Sequence, residues 1–190
     1  MVVPEGTAEC GACLAAPPPF DATLASVDYD FPWDRLITMF KFHAATDLAP
    51  TLAGLLADAP GHADRVPVDL VLPVPLAASR LRERGFNQAW ELARRAARRL
   101  NLAAEPRLLL RLRDTPHQIA LPPAERAGNV RGAFAIEPPR RSEVHGRAVA
   151  VVDDVMTTGD TLAEIARVLK QAGATHVAAW VVARTPPPGA

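Results

Sequence analysis

The sequence predicts an α/β fold with a mainly parallel central sheet flanked by helices. The main observation is the order strand, loop, helix, strand within residues 148–182. Residues 148–152 form a continuous apolar run, which is typical of a strand covered on both faces of a parallel sheet. Parallel strands joined by a helix are the building unit of α/β folds. The composition agrees, because a chain of 190 residues with 49% hydrophobic residues can bury one core.

The elements before this unit are predicted in chain order from hydrophobic spacing. Residues 1–20 are rich in Ala, Pro and Gly, and we expect a poorly ordered leader there. Apolar residues recur at helical spacing over residues 33–40, which predicts an amphipathic helix. A second helix is predicted over about residues 48–57, before a Pro-Gly pair. The apolar run 69–75 contains two prolines and predicts a buried strand that leaves into a tight loop.

The later elements follow from the same patterns. Residues 86–100 predict a helix with arginines on one side, and residues 108–112 predict a short strand. Residues 114–130 hold three prolines and show no clear period, so we expect a long loop there. The spacing over residues 162–169 predicts a helix that ends before a glycine, and residues 175–182 predict the last strand.

Charge and hydropathy limit the class of protein. One domain is predicted over residues 21–184, after the leader 1–20 and before a tail of residues 185–190. Lys plus Arg equals Asp plus Glu at 21 each, so no net charge attracts the chain to nucleic acid or membrane. No signal-peptide pattern and no apolar run of about 18 residues is present, which predicts a cytoplasmic protein without a membrane partner. We expect no direct nucleic-acid binding, because no aromatic stacking platform is evident.

The arginines are concentrated in one part of the chain. Between Arg80 and Arg113 there are ten arginines against three acidic residues. The arginines within residues 94–99 are compatible with a solvated helix face. Arg82, together with Arg80 and Arg84, is compatible with an anion site. The residues alone leave both interpretations open.

Two adjacent acids, Asp153 and Asp154, follow the predicted strand 148–152. Ligands of open parallel sheets bind just outside such strand ends. Burying two carboxylates at this position costs free energy unless they have a binding partner. We therefore expect both to lie at a solvent-open strand end, in a binding site. A Walker-type acidic site is disfavoured, because the chain has no Gly-x-x-x-x-Gly-Lys loop.

The loop after the acids is suited to an anion. Its backbone N–H groups and hydroxyls would face the positive end of a helix dipole, and Gly159 would let the backbone approach a phosphate closely. A simple capped helix would explain Thr161, as a capping box with Glu164, but not the two acids. The candidate phosphate-binding residues are Thr157, Thr158, Gly159, Asp160 and Thr161.

Residues 149–161 resemble the phosphoribosyl pyrophosphate signature of type I phosphoribosyltransferases. The resemblance implies that Asp153 and Asp154 hold the ribose 2′- and 3′-hydroxyls, while residues 157–161 wrap the 5′-phosphate. It also implies that Mg²⁺ arrives with the pyrophosphate and takes no protein side chain as its main ligand. The reaction would be displacement at the ribose C1 with pyrophosphate leaving, favoured by positioning and charge.

Further segments resemble the ComF family, the competence-associated branch of this fold, over roughly residues 20–184. Residues 73–75 with residues 80–88 resemble the first loop of that family, and Lys41-Phe42 fits its pattern after the first helix. The pyrophosphate side of the site would then be formed by Val74, Pro75, Arg80 and Arg84. A spaced set also fits the family: Arg113, Thr115, Gln118, Leu121, Arg126, Asn129, Gly132 and Phe134.

The cysteines depart from the family pattern. ComF proteins usually open with two or more Cys-x-x-Cys pairs, whereas this chain has one pair, Cys10 and Cys13. A structural zinc site needs four ligands, and His43 and His62 lie in a predicted helix and loop. We therefore interpret the pair as the remnant of a Cys module rather than as a zinc site.

Residues 113–130 are predicted to form a mobile lid. The segment is short of apolar anchors, yet Arg113 and Gln118 suit a pyrophosphate leaving group, and we take both as candidate catalytic residues. An ordinary surface loop with solvated arginines is the alternative.

Two classes of function follow from the resemblance. The first is a transferase that moves a phosphoribosyl group to or from an unidentified base. The second is a non-catalytic regulatory or competence (DNA uptake) protein that uses the fold as a nucleotide-precursor sensor. A lid favours the enzyme, and the oligomeric state, a homodimer included, stays open. Enzymes for 6-oxopurines carry an aspartate base where this chain has Thr157, so we expect poor turnover of hypoxanthine and guanine.

Overall fold

A computed structural model describes residues 11–59, 67–113, 128 and 130–185. Within these residues the helices are α1 (Gly11–Ala15), α2 (Trp33–Phe42), α3 (Ala49–Asp58), α4 (Ala78–Arg84), α5 (Gln88–Arg99) and α6 (Asp160–Gln171). The strands are β1 (Ala22–Asp28), β2 (Leu70–Pro73), β3 (Ala103–Ala104), β4 (Leu109–Arg111), β5 (Phe134–Ile136), β6 (Ala148–Met156) and β7 (His176–Arg184). Short 3₁₀ helices span Thr46–Leu48 and Pro138–Glu143.

The central sheet has the order β1-β7-β6-β2-β3, and all of its pairings are parallel. The predicted parallel α/β fold is thereby confirmed. From β6 the chain passes through α6 to β7 on one side, and from β2 it passes through α4 and α5 to β3 on the other. The strand order therefore reverses between β6 and β2, where diverging loops leave a crevice at the carboxyl ends of the strands.

The two faces of β6 bury different neighbours. Val149 and Val151 belong to a core cluster with α6 and the antiparallel pair β4-β5. Ala150 and Val152 belong to a second cluster with α2, α3 and α5. Successive side chains of a strand alternate between faces, so an apolar run without alternation is what a doubly covered strand requires.

Several elements differ from the hydrophobic pattern. No element was expected over residues 22–28, yet they form β1, an edge strand in which Leu24 is the buried residue and which pairs with β7. An edge strand that pairs on one side and buries few side chains does not need alternating apolar residues. Its pairing with β7, rather than a pattern in its own sequence, specifies it as a strand. The antiparallel partner β5 and helix α4, which carries Arg80, were also not expected.

The ends of the chain and the proposed lid are only partly described. Residues 1–10 of the predicted leader lie outside the described residues, residues 11–15 form α1, and Phe20 is buried in the core. The lid falls mainly on residues 114–127, also outside the described part, so it stays a prediction. Across the described ranges, no helix has the length and apolar character needed to cross a membrane.

Candidate functional site

The candidate site lies in the crevice between the carboxyl ends of β2 and β6. Pro73 pairs with Val152, and the Val74 N–H donates to the Val152 carbonyl at 2.9 Å. The loop after β2 therefore runs beside Asp153. The Asn87 side chain holds this loop, because its Nδ2 donates to the Val74 carbonyl at 3.1 Å while its Oδ1 accepts the first N–H groups of α5.

Asp154 is buried rather than open to solvent. Strand β6 continues to Met156, so both acids lie within the strand and not after it. Only 3% of the Asp154 side chain is exposed, and its Oδ2 lies 2.7 Å from the Lys41 ammonium. Its Oδ1 accepts the Val155 N–H at 3.0 Å. The expectation that both acids lie at a solvent-open strand end is therefore wrong for Asp154, because α2 covers that face of the sheet and brings a lysine to it.

Asp153 has a different environment on the neighbouring position of the strand. Its side chain is half-buried, and its Oδ1 accepts the Asp154 N–H at 2.9 Å. Burial raises the pKa of this carboxyl to about 6, although the positive charges of Lys41, Arg111 and Arg84 favour its ionised form. Asp153 is thus the more accessible of the two acids.

Lys41, in the last turn of α2, connects the acids with a basic cavity. Burial lowers the pKa of its ammonium to about 8, against the attraction of Asp153, and the nearby Arg84 and Arg80 lower it further. Sequence reasoning did not place Lys41 in the site. The one sequence feature that pointed to Lys41 was the match of Lys41-Phe42 to the ComF pattern after the first helix.

The cavity has a volume of about 290 Å³ and lies between α2 and α4. Arg84 packs its guanidinium 5.2 Å from the centre of the Phe42 ring and donates to Gln88 Oε1. Burial lowers the pKa of Arg84 as well. The predicted pyrophosphate residues Arg80 and Arg84 thus meet at one cavity. Its lining is Lys41, Phe42, Ala44, Arg80, Glu83 and Arg84.

Residues 157–159 join β6 to α6, and the candidate residues Asp160 and Thr161 are the first two of that helix. Thr157 and Thr158 are exposed, and the Thr158 hydroxyl donates to Asp160 Oδ2. Gly159 is the N-cap of α6 with φ +87°, a left-handed conformation that favours glycine. A Cβ at Gly159 would lie 3.1 Å from Met156 Cε, so packing also favours glycine there.

The position of Glu164 does not match the capping box that a simple capped helix would form with Thr161. Helix α6 begins at Asp160, and Glu164 reaches instead to the β5 side of the fold, where its Oε1 accepts the Gly132 N–H at 2.7 Å. Its Oε2 accepts from Arg167 at 2.8 Å. Glu164 therefore ties α6 to the segment that precedes β5, a long-range contact that local spacing does not reveal.

Of the two candidate catalytic residues, the structure describes Arg113. Arg113 is exposed two residues after the end of β4, and its guanidinium donates to the Arg131 carbonyl. Gln118 lies outside the described residues. Arg111 is instead the arginine of β4 whose charge acts on Asp153, and nothing in its sequence context distinguished it from its neighbours.

The arginines of α5 pair on the helix surface. Glu91 accepts from both Arg94 and Arg95, and Arg99 lies 2.7 Å from Asp58 of α3. These contacts agree with the helix-face interpretation of this stretch, whereas Arg80 and Arg84 line the cavity described above.

Comparisons with known proteins identify the family of the chain. Residues 91–188 match the family model of the phosphoribosyl transferase domain. DNA utilization protein YhgH of Escherichia coli O157:H7 is 37% identical over 180 residues, which cover 93% of this chain and 78% of that protein. Competence protein F of Haemophilus influenzae is 35% identical over 179 residues, 92% of this chain and 78% of that protein.

A solved structure is also similar in part. Glutamine phosphoribosylpyrophosphate amidotransferase from B. subtilis, in complex with ADP and GMP, aligns with a TM-score of 0.47 and 25% identity. The alignment covers 70% of this chain and 26% of that longer one. The family model shows that this chain carries a phosphoribosyltransferase domain, and the two relatives, aligned over more than nine tenths of the chain, show that it belongs to the ComF family.

Proposed function

We propose that this protein binds phosphoribosyl pyrophosphate in the crevice between β2 and β6 and transfers the phosphoribosyl group to or from a base. One observation carries the proposal. A half-buried carboxylate, a loop suited to phosphate and a cavity with three cationic side chains surround the end of a single strand. This combination matches a ligand that has a diol between a monophosphate and a diphosphate.

The ribose and its 5′-phosphate are assigned to the side of α6. Asp153, the more accessible acid, would accept hydrogen bonds from the ribose hydroxyls first. The 5′-phosphate would lie against residues 157–161, where the backbone N–H groups at the start of α6 carry the positive end of the helix dipole. Gly159 supports the turn that aims these groups outward.

The diphosphate is assigned to the basic cavity. Lys41, Arg80 and Arg84 outnumber Glu83 among the cavity residues, so an anion there is favoured. Charge grows on departing pyrophosphate in the transition state, and fixed cations in a partly desolvated site stabilise it. Val74 and Pro75 would bring the backbone of the loop after β2 to the same group.

A magnesium ion fits this scheme as part of the ligand. Among the residues that the structure describes, no group of three or more His, Cys, Asp or Glu side chains is arranged to hold a metal. The ion would neutralise charge on the leaving group, and we propose that the diphosphate carries it.

The acceptor is proposed to be a base other than a 6-oxopurine. Thr157 is exposed at the position where such enzymes carry an aspartate, and a hydroxyl does not act as a base near neutral pH. We therefore expect hypoxanthine and guanine to be poor acceptors. We also propose that Gln118 and Arg113 belong to a lid and would reach the pyrophosphate when the lid is closed.

A regulatory function is the second candidate. The relatives are named for DNA utilization and for competence, which are names of processes and not of a reaction. In this case the same site would bind phosphoribosyl pyrophosphate without turnover.

The test is calorimetric titration of phosphoribosyl pyrophosphate with magnesium into the wild type and two variants. Asp153→Asn removes acceptors of charge-assisted hydrogen bonds worth roughly 1.5–3 kcal/mol, so we expect affinity to fall at least tenfold. Asp58→Asn is the control, because it removes the same charge from an exposed pair on α3. Equal affinities in the wild type and Asp153→Asn would contradict the proposed site.

A screen for pyrophosphate release across nucleobases then separates the two functions. Release with one base, lost in Asp153→Asn, supports the transferase. Tight binding without release from any base supports the regulatory function. Absence of binding in the wild type would contradict both.

A further inference from the structure

Lys41 lies on the boundary between the buried acid and the basic cavity. Its ammonium is 2.7 Å from Asp154 Oδ2, and its side chain also lines the cavity beside Arg80 and Arg84. About 22% of the side chain remains exposed. One amino group is therefore within reach of two anions, the carboxylate that it pairs with and any anion that enters the cavity.

The contact between Lys41 and Asp154 is close but poorly aligned. Within the described part of the chain, Asp154 Oδ2 is a buried oxygen to which nothing donates a hydrogen bond of acceptable geometry. The pair is thus held by charge attraction without the directional bond that makes charge-assisted contacts strong. A diphosphate offers several oxygens, and so can accept aligned bonds from the same ammonium.

The surrounding charges favour such an exchange. Lys41 faces Asp153 and Asp154 on β6, and Arg80, Glu83 and Arg84 on α4. The two arginines repel the ammonium, and they lower its pKa. An anion in the cavity would remove this repulsion, so moving the ammonium toward the cavity becomes favourable only when the anion is bound.

We infer that Lys41 is a positioning residue that exchanges partners on ligand binding, from the Asp154 carboxylate to a diphosphate in the basic cavity. The inference rests on the proposed function. Its consequence is that the diphosphate half of the ligand frees Asp154 to accept a ribose hydroxyl beside Asp153. The two halves of the ligand therefore bind cooperatively, because Asp154 becomes available to the ribose half only when the diphosphate is bound.

The test uses inorganic pyrophosphate, which has no ribose, at constant magnesium. Asp154→Asn releases Lys41 to the cavity, so we expect it to tighten pyrophosphate binding at least about fivefold more than Asp153→Asn does. Asp153→Asn is the matched control, because it removes the same charge from the adjacent position of β6. In the Lys41→Met background the extra gain from Asp154→Asn should shrink below about twofold.

Two outcomes overturn the inference. One is an equal gain from Asp154→Asn and Asp153→Asn, and the other is a gain that persists in the Lys41→Met background. Either leaves the proposed function intact if the wild type still binds phosphoribosyl pyrophosphate. Failure of every variant to bind pyrophosphate, with no binding of phosphoribosyl pyrophosphate either, would overturn the inference and the proposed function together.

A second measurement covers the case in which Asp154→Asn does not fold. Lys41 has a pKa of about 8, so at pH 9 much of it is neutral in the free protein. An anion that takes over the ammonium raises this pKa, and the wild type should take up more protons on pyrophosphate binding at pH 9 than Lys41→Met does. Titrations in buffers of different ionisation enthalpy measure the uptake. Equal uptake in the two proteins would contradict the inference.

Discussion

Two neighbouring carboxylates of β6 lie on opposite faces of the sheet and differ in burial and in pairing. On the face covered by α2, α3 and α5, Asp154 is buried and paired with Lys41. Asp153 points toward the other face, is half-buried, and has a pKa raised to about 6. Two acids that stand together in one motif therefore differ in environment: Asp154 is buried against a lysine, and Asp153 is the more accessible of the two.

The largest difference between the two acids is expected in stability. Asp154→Ala removes one partner of a buried ion pair, and we expect a loss of about 2 kcal/mol in the free energy of unfolding. The loss stays below the usual range for such pairs, because Lys41 is partly exposed and can turn to solvent. Asp153→Asn should stabilise the protein by up to about 1 kcal/mol at pH 7.5, because it removes a charge that burial disfavours.

Urea unfolding of both variants at pH 7.5 measures this difference. Lys41→Met combined with Asp154→Asn should recover most of the stability lost in Asp154→Ala, since no unpaired charge remains. Equal destabilisation by Asp153→Asn and Asp154→Ala would show that the two faces do not differ as described.

A smaller effect is expected in the loop on the α6 side. Gly159→Ala places a side chain at φ +87° and 3.1 Å from Met156 Cε, so we expect a loss of about 1–2 kcal/mol in unfolding free energy. Gly54→Ala is the control, because Gly54 lies inside α3 with open space for a Cβ, and it should stabilise by about 0.5–1 kcal/mol. Changes of the same sign in the thermal midpoints of the two variants would contradict this account.

The smallest effect is expected in the pH dependence of stability. Asp153 has a pKa of about 6 in the folded protein and 3.8 in the reference state, so the folded state binds more protons between these values. Stability should therefore fall as the pH rises from about 4 to about 6, by on the order of 1 kcal/mol since solvent reaches part of the side chain. Asp153→Asn should remove this slope.

Lys41 should act in a separate window. Its pKa is about 8 in the folded protein and 10.5 in the reference state, so the unfolded state binds more protons between these values. Stability contributed at this residue should rise as the pH increases from 8 toward 10.5. Urea unfolding of Lys41→Met should be measured across both pH windows. In this variant the free energy of unfolding should lose its pH dependence only in the upper window, from about pH 8 to 10.5.

Much of the fold could be predicted, because its central elements have strong local patterns. The apolar run 148–152, the helix that follows it and the last strand are specified by burial on both faces and by helical spacing, and the structure confirms them. The helices α2, α3 and α5 were predicted within a few residues for the same reason. Strand β1 and strand β5 were missed, because their partners, β7 and β4, lie far away in the chain or across a long segment.

The sequence by itself determined the chemistry at the strand end: two acids, a hydroxyl-rich loop that contains a glycine, and arginines placed after the strand of residues 70–73. Only the tertiary structure decided which of these groups are buried, which are accessible and which contact each other. Strand alternation puts Asp153 and Asp154 on different faces, and helix packing brings the Lys41 ammonium to 2.7 Å from Asp154. A carboxylate acquires its charge state and its accessibility from the neighbours that folding supplies, and residues so distant in the chain leave no local pattern that predicts their contact.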